Sequence, residues 1–148
     1  MNNKMLVPLD GSKHAFKALE YACDLAEKYG STVTLLHVVV SREIPEAVRQ
    51  YVEVEHIEEP PGYVYEQMVA ENVLGEGERR AREHGVKGVR KVIEHGDPTE
   101  TILGVAKNEG CDAIVMGTRG LSDIRGLVVG SVAHKVSHLA PCTVITVR

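Results

Sequence analysis

The chain has 148 residues, the size of one domain spanning 1–148, and that length buries roughly two-thirds of the unfolded surface around one core. A hydrophobic fraction of 43% and a charged fraction of 26% are those of an ordinary globular protein and argue against a disordered chain. The net charge of −4 leaves no basic excess for a nucleic-acid backbone, and the longest apolar runs fall far below the roughly 18 residues of a membrane span. Neither nucleic acid nor membrane is therefore expected as a partner. The start, Met1 to Val7, runs directly into a strand pattern without a cleavable signal, so a cytoplasmic location is expected. Cys23, Cys111 and Cys142 are odd in number and widely spaced, which argues against a disulfide framework or a zinc site and for packing roles.

In chain order, Lys4 to Leu9 is a short apolar segment that ends at Asp10-Gly11-Ser12, a strand followed by a turn. Ser12 is an N-cap candidate for a helix whose apolar positions Ala15, Leu19, Ala22 and Ala26 have helical spacing, and Gly30 supplies its stop. Thr32 to Val40 is β-branched and largely apolar, as a central parallel strand requires. From Ser41 to about Gly62 the prolines and the acidic run Glu53–Glu59 predict a long surface connection with room for a short helix. Tyr63 to His84 reads as a helix with Val64, Met68, Val69 and Val73 on its apolar face, weakened by Gly75 and Gly77. Val86 to Glu94 alternates as a strand near an edge.

Asp97-Pro98-Thr99-Glu100 opens the next helix with an N-cap, a proline at the first position and a capping-box pattern; Ile102, Leu103, Val105 and Ala106 form its buried face, and it runs to about Glu109. The strand Ala113–Met116, a helix from Ser131 to about Leu139 and the strand Thr143–Val147 complete five strands alternating with four helices. Such alternation predicts an α/β fold: an open parallel five-stranded sheet in the order 3-2-1-4-5, covered by helices on both faces, with ligands bound beyond the strands' carboxyl ends where strand order reverses. Asp10 and Gly117 would flank that crevice.

The stretch Gly117 to Ser131 lies between a strand end and a helix start, with the spacing G-x2-G-x9-G-S. Glycines there let the backbone take positive φ and bring N–H groups close to an anion, and the new helix adds unpaired N–H groups and the positive end of its dipole. Ser131 can cap that helix or bond an oxyanion. The plain alternative, a tight turn, fits this longer spacing less well than it fits a lone glycine pair. No P-loop or G-x-G-x-x-G follows the first strand, which argues against dinucleotide redox chemistry. His134 and His138 stand four apart without an acidic partner at motif spacing, and His37 and His95 read as structural.

Pro8-Leu9-Asp10-Gly11-Ser12, Leu36-His37-Val38-Val39, Gly96-Asp97-Pro98, Asp112 to Gly117, and the glycine spacing at Gly117, Gly120, Gly130 and Ser131 together closely resemble the universal stress protein family over nearly the whole chain. The glycine spacing is that of the family's ATP-binding branch. The resemblance implies a Rossmann-like fold, similar to that of adenine nucleotide alpha hydrolases, and a nucleotide-responsive regulatory protein of the stress response. It implies a homodimer formed through Thr143–Val147, and bound ATP whose magnesium or manganese is held mainly by phosphate oxygens and water. By the same resemblance Pro8, Leu9 and Asp10 would bind the nucleotide, Asp10 beside the ribose and near a phosphate-bound metal, with capping of the first helix as the other role open to Asp10. Val38 or Val39 would offer backbone groups to the adenine edge. Gly117, Gly120 and Gly130 would bring backbone amides to the ribose and phosphates with Ser131 bonding a phosphate oxygen, and Met116, Thr118, Arg119 and Val132 would also contact the nucleotide, while Arg119 and Arg125 could instead be solvated. A slow ATPase or phosphotransfer enzyme and a binder of AMP or another adenosine ligand are the alternatives.

Overall fold

The computed structural model describes residues 4–119 and 130–148. Among them β1 (Lys4–Pro8), β2 (Thr32–Val39), β3 (Val89–His95), β4 (Ala113–Gly117) and β5 (Thr143–Val147) form one parallel sheet, in the order β3-β2-β1-β4-β5. The near-continuous apolar runs of β1 and β4 follow from burial on both faces: Met5, Leu6 and Val7 are all fully buried, as are Ala113, Ile114 and Val115. Side-chain alternation then divides the core. Met5, Val7, Val33, Leu35 and Val115 pack on one face under α1 (Lys13–Tyr29) and α3 (Pro61–Glu83). Leu6, Leu36, Ile114 and Met116 pack on the other under α4 (Pro98–Asn108) and α5 (Ser131–Leu139). Each such Leu or Val contributes roughly 1.5–3 kcal/mol over leaving it in water. β3 lies at the edge with Arg90, Lys91 and Glu94 exposed, the charged dressing that discourages further strand pairing.

Helix ends are set where the local chemistry places them. Ser12 caps α1 by accepting the Ala15 N–H at 3.2 Å, and Gly30 ends it at φ 68°. Asp97 caps α4 through the Glu100 N–H at 3.0 Å. The third strand starts later than the alternation from Val86 suggests. Val86 N–H bonds to the Ala81 carbonyl and Gly85 N–H to that of Arg82, a Schellman closure of α3 that holds Val86 on the helix end.

The 41–62 connection contains the short helix for which its sequence left room, α2 (Glu46–Val54), which buries Val48 and Val52 and brings the helices to five rather than four among the described residues. One feature departs from the expectations. On α3 the buried stripe is Ala70, Leu74, Gly77 and Ala81, whereas Met68 is 43% exposed and Val64, Val69 and Val73 are half-buried. Small residues win because the helix sits close to the sheet. A Cβ on Gly77 would stand 2.6 Å from Cδ1 of Leu9 and 3.1 Å from Cδ1 of Leu35. Gly77 is thus the point of closest approach of α3 rather than a weakness in it.

Candidate functional site

From β1 the chain turns into α1 on one face of the sheet, and from β4 it turns toward α5 on the other, although β1 and β4 are neighbours. Loops leaving adjacent strands for opposite faces must part, and the gap between them is the crevice of a doubly wound sheet. It holds a cavity of about 460 Å³, within the roughly 300–1,000 Å³ of small-molecule sites. Pro8, Leu9 and Asp10 enter it from β1; Leu36, Val38, Val40 and Arg42 from β2 and its exit; Met116, Gly117, Thr118 and Arg119 from β4. Ala15, in the first turn of α1, and Val132 and Ala133, in the first turn of α5, close two further sides, with Pro98 and Ile102 of α4. Among the described residues the lining is mainly apolar, and its charged side chains are Asp10, Arg42 and Arg119.

Nine of the residues singled out from the sequence therefore meet in one cavity: Pro8, Leu9, Asp10, Val38, Met116, Gly117, Thr118, Arg119 and Val132. Val39 does not line it; strand alternation turns its side chain to the opposite face, where it is 6% exposed beside a small second cleft. Gly130 and Ser131 stand next to the lining at the start of α5, with the Gly130 N–H bonded to the Thr118 carbonyl. Gly120 and Arg125 lie outside the described residues.

Local chemistry explains the placement. Asp10 Oδ1 accepts the Ser12 N–H at 2.9 Å, an Asx turn that bends the chain out of β1, while the helix cap itself is Ser12. Gly117 and Gly130 do not use positive φ; that conformation falls at Gly11, Gly30, Gly85, Gly96 and Gly110 among the described glycines. What Gly117 supplies is room. A Cβ there would lie 2.8 Å from the backbone carbon of His14 and 2.9 Å from its oxygen, so glycine lets the first turn of α1 close onto the end of β4. Thr118 is buried, and its N–H bonds to the Val147 carbonyl at 2.9 Å, tying the loop to β5.

His37 lines the small second cleft with Val39 rather than the cavity, 2% exposed, with Nδ1 2.8 Å from the Leu9 carbonyl oxygen. A carbonyl only accepts, so Nδ1 carries the proton. Burial holds the pKa of His37 below its ordinary value of 6.5. Burial also pushes the Cys23 and Cys111 thiols up to about 11, and none of the three cysteines lines the cavity. The rings of His134 and His138 meet edge-on with centroids 4.5 Å apart, and no group of three or more metal-ligating side chains occurs among the described residues.

Ala15, Leu36, Val40, Arg42, Pro98, Ile102 and Ala133 are lining residues that the sequence did not single out for the site. Arg42 and Val40 carry a signal in retrospect, since they follow the carboxyl end of a strand in an α/β pattern. For Ile102, a core position on a helical stripe, only the packing of α4 over β2 reveals the role.

Fold and cavity together define a doubly wound α/β protein of the kind that binds ligands at its switch point. The sequence profile of the Universal stress protein family matches residues 1–148, and the chain belongs to that family. Universal stress protein YxiE of Bacillus subtilis (strain 168) is 36% identical over 153 residues, with all of both chains covered. Universal stress protein UspA from Lactobacillus plantarum superposes with a TM-score of 0.79 at 26% identity, over 99% of this chain and 98% of that one. A universal stress protein from Archaeoglobus fulgidus, solved in complex with dAMP, shares the fold with a TM-score of 0.70 at 21% identity, over 98% and 97% of the two chains.

Proposed function

We propose that this protein binds ATP in the switch-point cavity and that its nucleotide state governs recognition of a protein partner in the cytoplasmic stress response. The observation that carries this reading is the convergence of two helix first turns, at Ala15 and at Val132–Ala133, on a cavity whose opposite wall is apolar. Helix N-termini favour phosphate through unpaired N–H groups and the dipole. The apolar residues Leu36, Val38, Ile102 and Met116 suit a flat purine. Arg119, beside the Thr118–Gly130 junction, adds a cation to the phosphate end, and Asp10 suits a ribose hydroxyl. An adenine base is what the Archaeoglobus fulgidus protein of this fold holds, as dAMP.

Magnesium or manganese fits this donor set as a passenger of the phosphates. Among the described residues Asp10 is the one carboxylate of the lining, and a hard divalent cation would complete its shell with phosphate oxygens and water. Such an ion would offset phosphate charge; the protein's own part is to orient the nucleotide and to exclude water from its base.

A homodimer through β5 belongs to the same reading. Among the described residues that strand has β4 on one side only, with Val144, Ile145 and Val147 half-buried. A second copy would cover this apolar edge.

The test is mass-spectrometric identification of nucleotide released from freshly purified protein, followed by calorimetric titration of ATP, ADP and AMP with magnesium into wild type and Gly130→Val. Gly130 has φ −70° and ψ 163°, a conformation open to valine, so the substitution tests the approach of phosphate rather than the backbone. Binding to wild type with loss in the folded variant is expected. A folded wild type that binds no nucleotide would overturn the proposal.

A further inference from the structure

The β1–β2 ladder ends at an informative place. Pairing runs from Lys4↔Thr32 to Pro8↔Leu36, and one bond continues it, from the Leu9 N–H to the Leu36 carbonyl at 2.7 Å. In a parallel ladder the next rung would join the Val38 N–H to the Leu9 carbonyl, because backbone groups of alternate residues on one strand face the same neighbour. The Leu9–His37 pairing that this rung would create is not part of the register. The Leu9 carbonyl instead accepts from Nδ1 of His37 at 2.8 Å. Leu36 and Val38 are in phase, so the Val38 N–H and C=O point past the end of the ladder toward the side from which Leu9 and Asp10 line the cavity.

We propose that His37 is a positioning residue of the ligand site: by drawing the Leu9 carbonyl toward its ring and out of line with the Val38 N–H, it stops the ladder one rung early and leaves the Val38 backbone pair to meet the ligand's base. The pair is a donor and an acceptor side by side, complementary to N1 and the exocyclic N6 amino group of adenine. His37 acts from the second cleft, outside the cavity lining, and touches no ligand. It also holds Leu9, and with it the Asp10 turn, at a fixed height against β2. Its place is sterically determined, since Leu9 packs against Gly77 of α3 and cannot rise without opening that contact. This role rests on the nucleotide reading above, while its backbone consequence can be measured without any nucleotide.

The experiment compares wild type with His37→Asn, His37→Leu and His37→Gln. Asparagine places an N–H donor where Nδ1 stands, leucine removes the donor, and glutamine carries it one bond further out. Amide hydrogen exchange of the nucleotide-free proteins reads the ladder: Val38 should exchange fast in wild type and His37→Asn. In His37→Leu, where the Leu9 carbonyl can take the missing rung, it should slow by about tenfold or more, the protection of one closed hydrogen bond. Calorimetry with magnesium and ATP should show wild-type affinity within about threefold for His37→Asn, and a loss of about tenfold or more for His37→Leu, the worth of one hydrogen bond. His37→Gln should behave as His37→Leu, and it replaces that variant in both measurements if leucine fails to fold. Unchanged Val38 exchange in the donor-less variant, or ATP affinity equal to wild type, overturns the positioning role. A wild type that binds no nucleotide, with Val38 exchange following the expected order, instead overturns the nucleotide reading and leaves His37 as a terminator of the ladder alone.

Discussion

Gly117→Ala is the most direct perturbation of the site's architecture. The added Cβ would stand 2.8 Å from the backbone carbon and Cβ of His14 and 2.9 Å from its carbonyl oxygen. None of these is the free end of a flexible side chain, so α1 or the end of β4 must move. Overpacking of this kind costs about 1–3 kcal/mol. For a chain of this size that lowers Tm by roughly 2–12 °C. The displaced element carries Ser12 and Ala15, so nucleotide affinity should fall together with stability. Gly104→Ala is the matched control. Gly104 lies inside α4 with nothing within 4 Å of the added atom. Alanine there should stabilise by about 0.5–1 kcal/mol through helix propensity and a less flexible unfolded chain. Urea denaturation at constant m, with calorimetric ATP titration of each variant, measures both effects. A Gly117→Ala protein as stable as wild type, or one less stable with Gly104→Ala equally destabilised, would refute the reasoning from close approach.

Gly77→Ala should destabilise by about 1–2 kcal/mol, less than the upper range for overpacking because the atoms it meets are the ends of Leu9 and Leu35; thermal melts check this. Ser12→Ala removes the cap that accepts the Ala15 N–H and should cost about 1 kcal/mol, read as a lower urea midpoint with unchanged m. His37 carries a pH dependence. Burial lowers its folded pKa below the unfolded 6.5, opposed by the Leu9 bond and with Arg42 and Asp10 as the charges acting on it. The unfolded chain therefore binds the proton first, and the contribution of His37 is complete above pH 6.5 and lost as pH falls through and below that value. Urea unfolding at pH 7.5 and 5.5 should show this loss in wild type and a reduced one in His37→Asn, and equal slopes in the two would reject it.

Much of the site's position follows from how much of the fold is local. The apolar runs of β1, β2 and β4, the caps at Ser12 and Asp97 and the stop at Gly30 are each written within a few residues, because period, capping and glycine φ are properties of short segments. Five strands alternating with helices leave few topologies, and the 3-2-1-4-5 order brings the residues after β1 and β4 together whatever their identity. Asp10 and Gly117 were legible for that reason.

What the linear pattern could not decide are the contacts between distant segments. Val64, Met68, Val69 and Val73 carried the apolar pattern of α3 in the sequence, yet Ala70, Leu74, Gly77 and Ala81 are its buried residues, since the depth at which a helix seats is set by its partner's side chains. Val38 and Val39 were equivalent in sequence until the register of β2 against β1 turned one toward the cavity and the other away. The amino-acid sequence by itself determined the elements, their order and the strand ends at which a ligand would be met. Only the tertiary structure decided that Arg42, Pro98 and Ile102 complete the cavity, that Gly117 makes room for His14, and that the His37 ring takes the Leu9 carbonyl. The physical reason is that these are packing relations between residues far apart in the chain, fixed by interatomic distances that no local periodicity encodes.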